Sequence, residues 1–286
     1  MGLARVLILL HFFRASPTEL YTTPFILEQE ISRARSGDGL IFRSKPKASC
    51  LDAAGANLFR MSLLLLWDID GTLITSGGAS LRALRHALSC VFGIAVIPEG
   101  IEYAGCTDRR IVRQIFSRCN LPENEVNFRN YMAAYLDVLP GEMAKPGARV
   151  LPGVRALLDG ALSRGAVAQG LLTGNSRRAA EIKLCHHGLW HYFPFGAFGD
   201  DCERRDELGH HSLRQARELH GIDFTPGQVW VIGDTPHDVR CAHAIGANSL
   251  AVATGGHSLS ELAAHGPTAL LADLMDSGAF WSIIGG

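Results

Sequence analysis

The stretch that decides the fold reads LLLLWDIDGT and occupies residues 63–72. Its five apolar residues, Leu63 to Trp67, are typical of a β-strand that is buried on both faces of a sheet. Two acidic residues, Asp68 and Asp70, follow at once and lead into a Gly-Thr turn. In a parallel sheet this is the edge where ligands bind, so the stretch predicts an α/β fold with polar chemistry at the end of its first strand.

Three further apolar runs predict strands over residues 166–172, 228–232 and 249–253, and a shorter one is predicted over 193–198. The three longer runs are each followed by Gly, Thr or Asp and then by a helical pattern. Such alternation is typical of a parallel sheet covered by helices. We therefore predict the α/β class, with a Rossmann-like parallel sheet core.

Residues 68–165 lie between the strands predicted over 63–67 and 166–172, and this segment is far longer than one crossover helix needs. Apolar residues recur at helical spacing within 81–92, 111–119 and 128–139 and predict three helices. We therefore assign residues 77–148 to an inserted α-helical cap domain and residues 61–76 and 149–286 to the core.

Residues 1–60 differ from the rest and are predicted to be a poorly ordered N-terminal extension. Their apolar run at 6–13 is shorter than the roughly 20 residues that a membrane span needs, and no clean secretory cleavage site follows it. Two interpretations remain: a transit peptide, or an upstream extension on a domain that begins at Met61.

The composition is that of an ordinary globular protein: 286 residues, 47% hydrophobic, with 27 basic against 28 acidic residues. This excludes a disordered or fibrous protein, and the lack of a global basic field predicts no nucleic-acid or membrane partner. Seven scattered cysteines without a Cys-x-x-Cys pair predict reduced thiols in a reducing compartment, which we take to be the cytoplasm. Nothing in the composition indicates an oligomeric state.

Two more strand ends carry polar residues. The sequence after residue 172 reads Thr173-Gly174-Asn175, and the sequence after residue 232 reads GDTPHD, which places Asp234 and Asp238 four residues apart. A hydroxyl with free amides at a helix N-terminus can bind an anion, and two such acids can bind a hard cation. Each motif taken alone is equally consistent with ordinary helix capping.

Taken together and in this order, the three motifs resemble the haloacid dehalogenase-like hydrolases, in particular their phosphatase branch with a helical cap inserted after the first motif. The resemblance covers residues 63 to about 275 and is closest to phosphoglycolate phosphatase-like members. It implies a Mg²⁺-dependent phosphatase that acts on a small phosphorylated metabolite.

The resemblance also implies the roles of individual residues. Asp68 is expected to be the nucleophile that forms an aspartyl-phosphate, and Asp70 the acid and base. Thr173, with the backbone amide of Gly174 or Asn175, is expected to hold the phosphoryl oxygens. The implied Mg²⁺ ligands are Asp68, Asp70 through its carbonyl, Asp234 and, directly or through water, Asp238.

One element of the family pattern is missing at its usual place. The family places a Lys between the second and third motifs, and the only Lys of that interval, Lys183, is predicted to point away because its helix runs away from the site. Arg205 is expected to replace it, in preference to Arg204, because an Arg can bind a carboxylate and a phosphate oxygen at once. Either arginine alone is also consistent with a solvated helix start.

The break at residues 105–110 is predicted to be the cap loop that reaches the substrate, with Thr107 and Arg109 as candidate substrate-binding residues. The resemblance favours phosphoglycolate as the substrate, and Arg109 is a candidate to meet a second anionic group such as a carboxylate. Two alternatives stay open: a non-catalytic phosphate- or partner-binding module on the same fold, and a phosphomutase-like phosphoryl transferase. Dehalogenation is discounted, because halide release needs no acid and the dehalogenases of the family lack the second Asp.

Overall fold

The computed structural model describes residues 62–285. The N-terminal extension predicted over residues 1–60 lies outside the described residues. Among those described, no helix is long and apolar enough to cross a membrane.

A six-stranded parallel sheet forms the centre of the core. Its strands are β1 (Leu63–Trp67), β4 (Val167–Leu172), β5 (Gly196–Ala197), β6 (Val229–Gly233), β7 (Asn248–Val252) and β8 (Ala269–Leu271). Their spatial order is β5-β4-β1-β6-β7-β8, and every neighbouring pair is parallel. The predicted α/β class and parallel sheet are therefore confirmed, and β1 lies near the middle of the sheet.

Both faces of the sheet are covered by helices. Leu64 and Leu66 of β1 pack in one apolar cluster, which includes Leu208, whereas Leu65 and Trp67 pack in the other. The first cluster draws on α6 (Arg205–His220) and α7 (Pro236–Ala244), and the second on α4 (Val154–Ser163), α5 (Arg177–His186) and α9 (Ser277–Gly285). The short α8 (Leu259–Ala263) completes the core. Burial on both faces explains why β1 is apolar at every position instead of alternating.

Three helices form the inserted cap: α1 (Ala79–Phe92), α2 (Asp108–Arg118) and α3 (Glu125–Met143). Their shared core contains Phe116, whose ring meets those of Phe92 and Tyr131 edge to face with centroids 5.3 and 5.6 Å apart. The Tyr131 hydroxyl donates to the carbonyl of Leu84 at 2.8 Å, which satisfies its polar group inside this core. The helical character of the predicted cap is confirmed.

Two short strands connect cap and core. β2 (Ile74–Thr75) and β3 (Arg149–Val150) pair antiparallel, so the chain leaves and re-enters the core side by side. Neither this pair nor β8 is predictable from the sequence, because elements of two or three residues are too short to show a periodic pattern.

Candidate active site

The carboxylate of Asp68 lies directly beyond the end of β1. Its backbone N–H donates to the carbonyl of Ile232 at 2.9 Å, which continues the pairing with β6 by one residue. The residue is only 4% exposed, although the cavity beside it opens to solvent. The sheet therefore presents one buried carboxylate at a fixed position at its carboxyl edge.

Two more buried carboxylates meet Asp68 from the next strand end. Oxygen atoms of Asp68, Asp234 and Asp238 all lie within 4.8 Å of one another. Thr72 donates its hydroxyl to Asp234 Oδ1 at 3.2 Å, and Asp238 accepts from the amide and hydroxyl of Thr235 at 3.0 and 2.7 Å. Three converging carboxylates fit a hard divalent cation such as Mg²⁺, whose preferred ligands are carboxylate oxygens.

Glycines make room for this acidic cluster. A Cβ atom at Gly255 would lie 1.7 Å from Asp234 Oδ2, and one at Gly71 would lie 2.4 Å from the same oxygen. Gly71 also has φ of +83°, a backbone conformation that L side chains rarely adopt. Two features therefore require glycine at position 71: the positive φ of the turn, and the close contact of its backbone with the Asp234 carboxylate.

The electrostatics of the cluster also favour a bound cation. Burial raises the pKa of Asp68 to about 6, with the neighbouring carboxylates of Asp238 and Asp70 adding to the shift and Arg205 opposing it. Burial and the charge of Asp68 likewise raise the pKa of Asp234 well above its usual range. At neutral pH the folded protein therefore carries unfavourable charge here, which a divalent cation would neutralise.

Replacing Asp234 by Asn should raise the stability of the metal-free protein and weaken its stabilisation by metal. Without metal the variant is expected to unfold several degrees higher than wild type, because one buried like charge is gone and the Asn oxygen still accepts from Thr72. Added Mg²⁺ should stabilise wild type, by about 2.7 kcal/mol at 100 times its Kd, and the variant far less. Thermal unfolding with Mg²⁺ or with chelator measures both. Equal Mg²⁺ shifts for the two proteins would show that Asp234 is not a ligand.

Arg205 lies between two of the carboxylates. Its guanidinium contacts Asp68 Oδ1 at 3.1 Å and also pairs with Asp238 Oδ1, and its side chain is 5% exposed. Burial opposes its charge, but Asp238 and Asp68 outweigh this and raise its pKa. The adjacent Arg204 is 73% exposed and pairs with Glu207 at 3.5 Å. Of the two arginines weighed from the sequence, the structure brings Arg205 to the site.

A second buried cation holds the second acid of the motif. Lys183 Nζ donates to Asp70 Oδ2 at 2.6 Å and to Asn175 Oδ1 at 2.6 Å, while Asn175 Nδ2 donates to the same Asp70 oxygen at 2.9 Å. The Lys183 side chain is 3% exposed, and that of Asp70 is 38% exposed toward the cavity. One carboxylate oxygen of Asp70 is thus fixed by two donors.

The expectation that Lys183 points away from the site is wrong. Helix α5 does run away from the sheet edge, but Lys183 lies two turns after the helix cap at Ser176 and on the same face. Because side chains on a helix tilt toward its N-terminus, the four-carbon chain of a Lys can span those two turns back to the sheet edge. The direction of the helix axis, on which the prediction rested, does not show how far the side chain reaches.

The Thr173-Gly174-Asn175 segment lies beside Asp68 and Asp70 on the same side of the cavity. Thr173 Oγ1 accepts from Asn175 Nδ2 at 2.9 Å, which leaves its own proton to donate to a ligand oxygen. All three residues line the cavity together with Asp68 and Asp70. Thr173 is completely buried otherwise, so its hydroxyl has a fixed position.

The cap loop is docked on this segment. The N–H of Asp108 donates to the carbonyl of Gly174 at 2.8 Å, and the amide of Ser176 donates to Asp108 Oδ2 at 2.7 Å. A Cβ atom at Gly174 would lie 2.2 Å from the carbonyl oxygen of Cys106. Gly174 is therefore required for close contact between cap and core.

The structure does not bring the two predicted cap residues to the cavity. Thr107 caps helix α2 by accepting from the amide of Arg110 at 3.3 Å and donates to the carbonyl of Glu203 at 3.0 Å. Arg109 binds both oxygens of Glu125, at 2.7 and 3.2 Å, and lies 4.2 Å over the ring of Phe128. Thr107 thus forms a hydrogen bond between the cap and the core, and Arg109 forms an ion pair between helices α2 and α3 of the cap.

We expect Gly174→Ala to impair catalysis without unfolding the protein. The added methyl meets the backbone of Cys106, so the cap loop must move outward, and a displacement of about 1 Å at a site can cost about 10²-fold in rate. The measurement is kcat/KM for phosphomonoester hydrolysis. Gly141→Ala is the matched control, because a Cβ there meets nothing within 4 Å, and its activity should equal that of wild type. A Gly174→Ala enzyme as active as the control would contradict the need for this contact.

The cavity enclosed by these elements measures about 400 Å³ and lies between cap and core. Its floor consists of Asp68, Asp70, the Thr173–Asn175 segment, Lys183 and Arg205, and its roof of cap residues. A volume of this size suits a small metabolite.

Comparison with known proteins gives consistent matches. A family model described as haloacid dehalogenase-like hydrolase matches residues 65–252. A phosphoglycolate phosphatase of Agrobacterium fabrum is 24% identical over 200 residues, covering 68% of this chain and 82% of its own length. Phosphoglycolate phosphatase 1 of Pseudomonas aeruginosa is 27% identical over 227 residues, with 76% of this chain and 79% of its own covered.

Solved structures share the fold. CbbY from Rhodobacter sphaeroides, crystallised with phosphate, superposes with a TM-score of 0.63 at 18% identity and covers 76% of this chain and 97% of its own. A predicted phosphoglycolate phosphatase from Haemophilus somnus gives a TM-score of 0.59 at 19% identity, with 77% and 97% covered.

Proposed function

The chain belongs to the haloacid dehalogenase-like hydrolases and is an enzyme of their phosphatase branch, and we propose that it hydrolyses a small phosphomonoester with Mg²⁺ through an aspartyl-phosphate on Asp68. The observation that carries this proposal is the pairing of two differently held acids at one strand end. Asp68 is buried against the Arg205 guanidinium and two further carboxylates. Asp70 is hydrogen-bonded by Lys183 and Asn175 and is open to the cavity.

In the first step, an oxygen of Asp68 attacks phosphorus and the bond from phosphorus to the alcohol oxygen breaks. Asp70, in its protonated form, gives its proton to that oxygen, so the leaving group departs as a neutral alcohol. Lys183 and Asn175 both hold Oδ2 of Asp70, so the proton passes from Oδ1. These two hydrogen bonds fix the orientation of the Asp70 carboxyl group.

An anionic nucleophile approaches a dianionic phosphate only when the oxygens of the phosphate are neutralised. The Thr173 hydroxyl, whose proton is not committed, and the backbone amide of the neighbouring Gly174 line the cavity and would donate to these oxygens. Arg205 contacts Asp68 Oδ1 and lines the cavity beside it. A Mg²⁺ ion held by Asp68, Asp234 and Asp238 would supply the remaining positive charge.

In the second step, Asp70 takes a proton from water, and the water oxygen attacks phosphorus as the bond to Asp68 breaks. Inorganic phosphate leaves and Asp70 is protonated again, which restores the starting state. The same residue thus serves as acid and then as base at one position. This use of Asp70 favours phosphatase over dehalogenase chemistry, because a departing halide needs no proton.

The test is inorganic phosphate release by the full chain from a panel of phosphomonoesters, including p-nitrophenyl phosphate, with Mg²⁺ or with chelator. Mg²⁺-dependent release is expected. Phosphoglycolate belongs in the panel because two relatives carry its name. Absence of release from every compound by folded protein would refute the proposal, and phosphate transfer to an added sugar phosphate in place of water would instead support the phosphomutase-like alternative.

A further inference from the structure

Asn175 joins the second acid of the motif to the segment that follows β4. Its side-chain amide donates to Thr173 Oγ1 and to Asp70 Oδ2, both at 2.9 Å, and its side-chain oxygen accepts from Lys183 Nζ at 2.6 Å. These contacts all come from one side chain that is almost fully buried. The orientation of the Asp70 carboxyl group therefore depends on the position of the Asn175 backbone.

The cap holds that backbone on both sides. The N–H of Asp108, the first residue of α2, donates to the carbonyl of Gly174 at 2.8 Å. Asp108 Oδ2 accepts from the N–H of Ser176 at 2.7 Å. The two groups belong to the peptide bonds before and after Asn175, and each peptide bond is planar. One cap residue therefore fixes both peptide planes to which Asn175 is attached.

Helix α5 depends on acids from outside for its first amides. Ser176 is its N-cap residue, and the Ser176 side chain makes no capping hydrogen bond within residues 62–285. A capping box would place Glu or Gln three residues later, where the chain has Ala179. Asp108 accepts from the N–H of Ser176, and Asp200 Oδ2 accepts from the N–H of Arg177 at 2.6 Å. Of these two acids, Asp108 belongs to the cap and Asp200 to the core.

Electrostatics favour the same contact between cap and core. Burial raises the pKa of Asp108, and the nearby charge of Lys183 opposes that shift. The Asp108 carboxylate and the Lys183 ammonium group therefore attract each other across the boundary between cap and core. This is the ammonium group that donates to Asp70, so the attraction draws the cap toward the residues that orient the acid.

We propose that Asp108 is a positioning residue, which holds the Asn175 backbone so that Asp70 faces the oxygen of the leaving group. The inference rests on the proposed phosphatase function, in which Asp70 is the acid. Acid catalysis then requires contact between cap and core, although Asp108 itself does not touch the reacting atoms.

Two leaving groups separate a loss of acid catalysis from a general loss of activity. p-Nitrophenyl phosphate and p-nitrobenzyl phosphate carry the same ring, but nitrophenolate is stable as an anion, whereas the benzyl alkoxide must receive a proton as it departs. Asp108→Ala removes the acceptor for the Ser176 amide. We expect it to raise the ratio of kcat/KM for the phenyl ester to that for the benzyl ester at least about 10-fold, since general acid catalysis contributes about 10²–10⁴-fold.

Two further variants are the controls, with thermal unfolding of each preparation as a check on folding. Asp108→Asn keeps an oxygen that can accept from the Ser176 amide, so its ratio should stay within about 3-fold of wild type. Asp200→Ala removes the acceptor for the next amide of the same helix from the core side and should keep the wild-type ratio. A rise in either control equal to that in Asp108→Ala would refute the proposed role of Asp108.

Asp70→Asn supplies the reference for complete loss of the acid. It should raise the ratio at least as far as Asp108→Ala does, and Asp108→Ala added to it should raise the ratio no further, because no acid is left to position. If Asp70→Asn raises the ratio and Asp108→Ala does not, this inference alone fails. If Asp70→Asn releases phosphate with an unchanged ratio, Asp70 is not the acid, and the proposed mechanism fails together with the inference.

Discussion

Asp68→Asn is expected to lower kcat by at least about 10⁴-fold while the protein stays folded. The amide is a far poorer nucleophile than the carboxylate, and no other side chain at the floor can take its place, since Asp70 is held in another direction by Lys183. The carboxylate of Asp68 is costly to bury, as its raised pKa shows. A neutral amide of the same shape should therefore leave the metal-free protein at least as stable as wild type at neutral pH.

The measurement is phosphate release at saturating substrate beside thermal unfolding of the same preparations. Asp206→Asn serves as the control, because Asp206 lies on helix α6 next to Arg205 yet outside the cavity, and it should keep wild-type turnover. An Asp68→Asn enzyme with more than about 1% of wild-type kcat would require another nucleophile.

The sheet could be predicted from the sequence because its signals are local. Each long strand is a continuous apolar run, and burial on both faces of a parallel sheet produces such runs. The carboxyl ends of parallel strands share an edge, so Asp68, Thr173 and Asp234 were expected at the same edge of the sheet. That they are direct neighbours follows from the order β4-β1-β6, which only the structure shows. The connecting strands β2 and β3 carry no such signal, since each has two residues.

The surroundings of the site were harder to predict because they depend on side-chain reach. Lys183 looked remote along the sequence and along its helix axis, yet its ammonium group lies 2.6 Å from Asp70. Arg109 looked well placed in a cap loop, yet its guanidinium binds Glu125 on the neighbouring helix. In both cases the sequence indicates the backbone position, whereas the partner is set by packing between elements distant in sequence.

Loss of Arg205 should have the largest effect on stability. Arg205→Met leaves Asp68, Asp234 and Asp238 buried together without their cation, and removal of one partner from a buried ion pair typically costs about 3–5 kcal/mol. Urea unfolding in chelator should show this loss. Added Mg²⁺ should restore part of it, because a divalent ion neutralises the same carboxylates.

The adjacent arginine provides the control for that experiment. Arg204→Met removes the same charge one residue away, but Arg204 is 73% exposed, so its free energy of unfolding should stay within about 0.5 kcal/mol of wild type. Arg205→Lys keeps the charge without the two-pronged geometry and should fall between wild type and Arg205→Met in both stability and turnover. If Arg205→Met proved as stable as Arg204→Met in chelator, the carboxyl groups would have to be protonated in the folded protein. Arg205 would then not be the group that stabilises their negative charge.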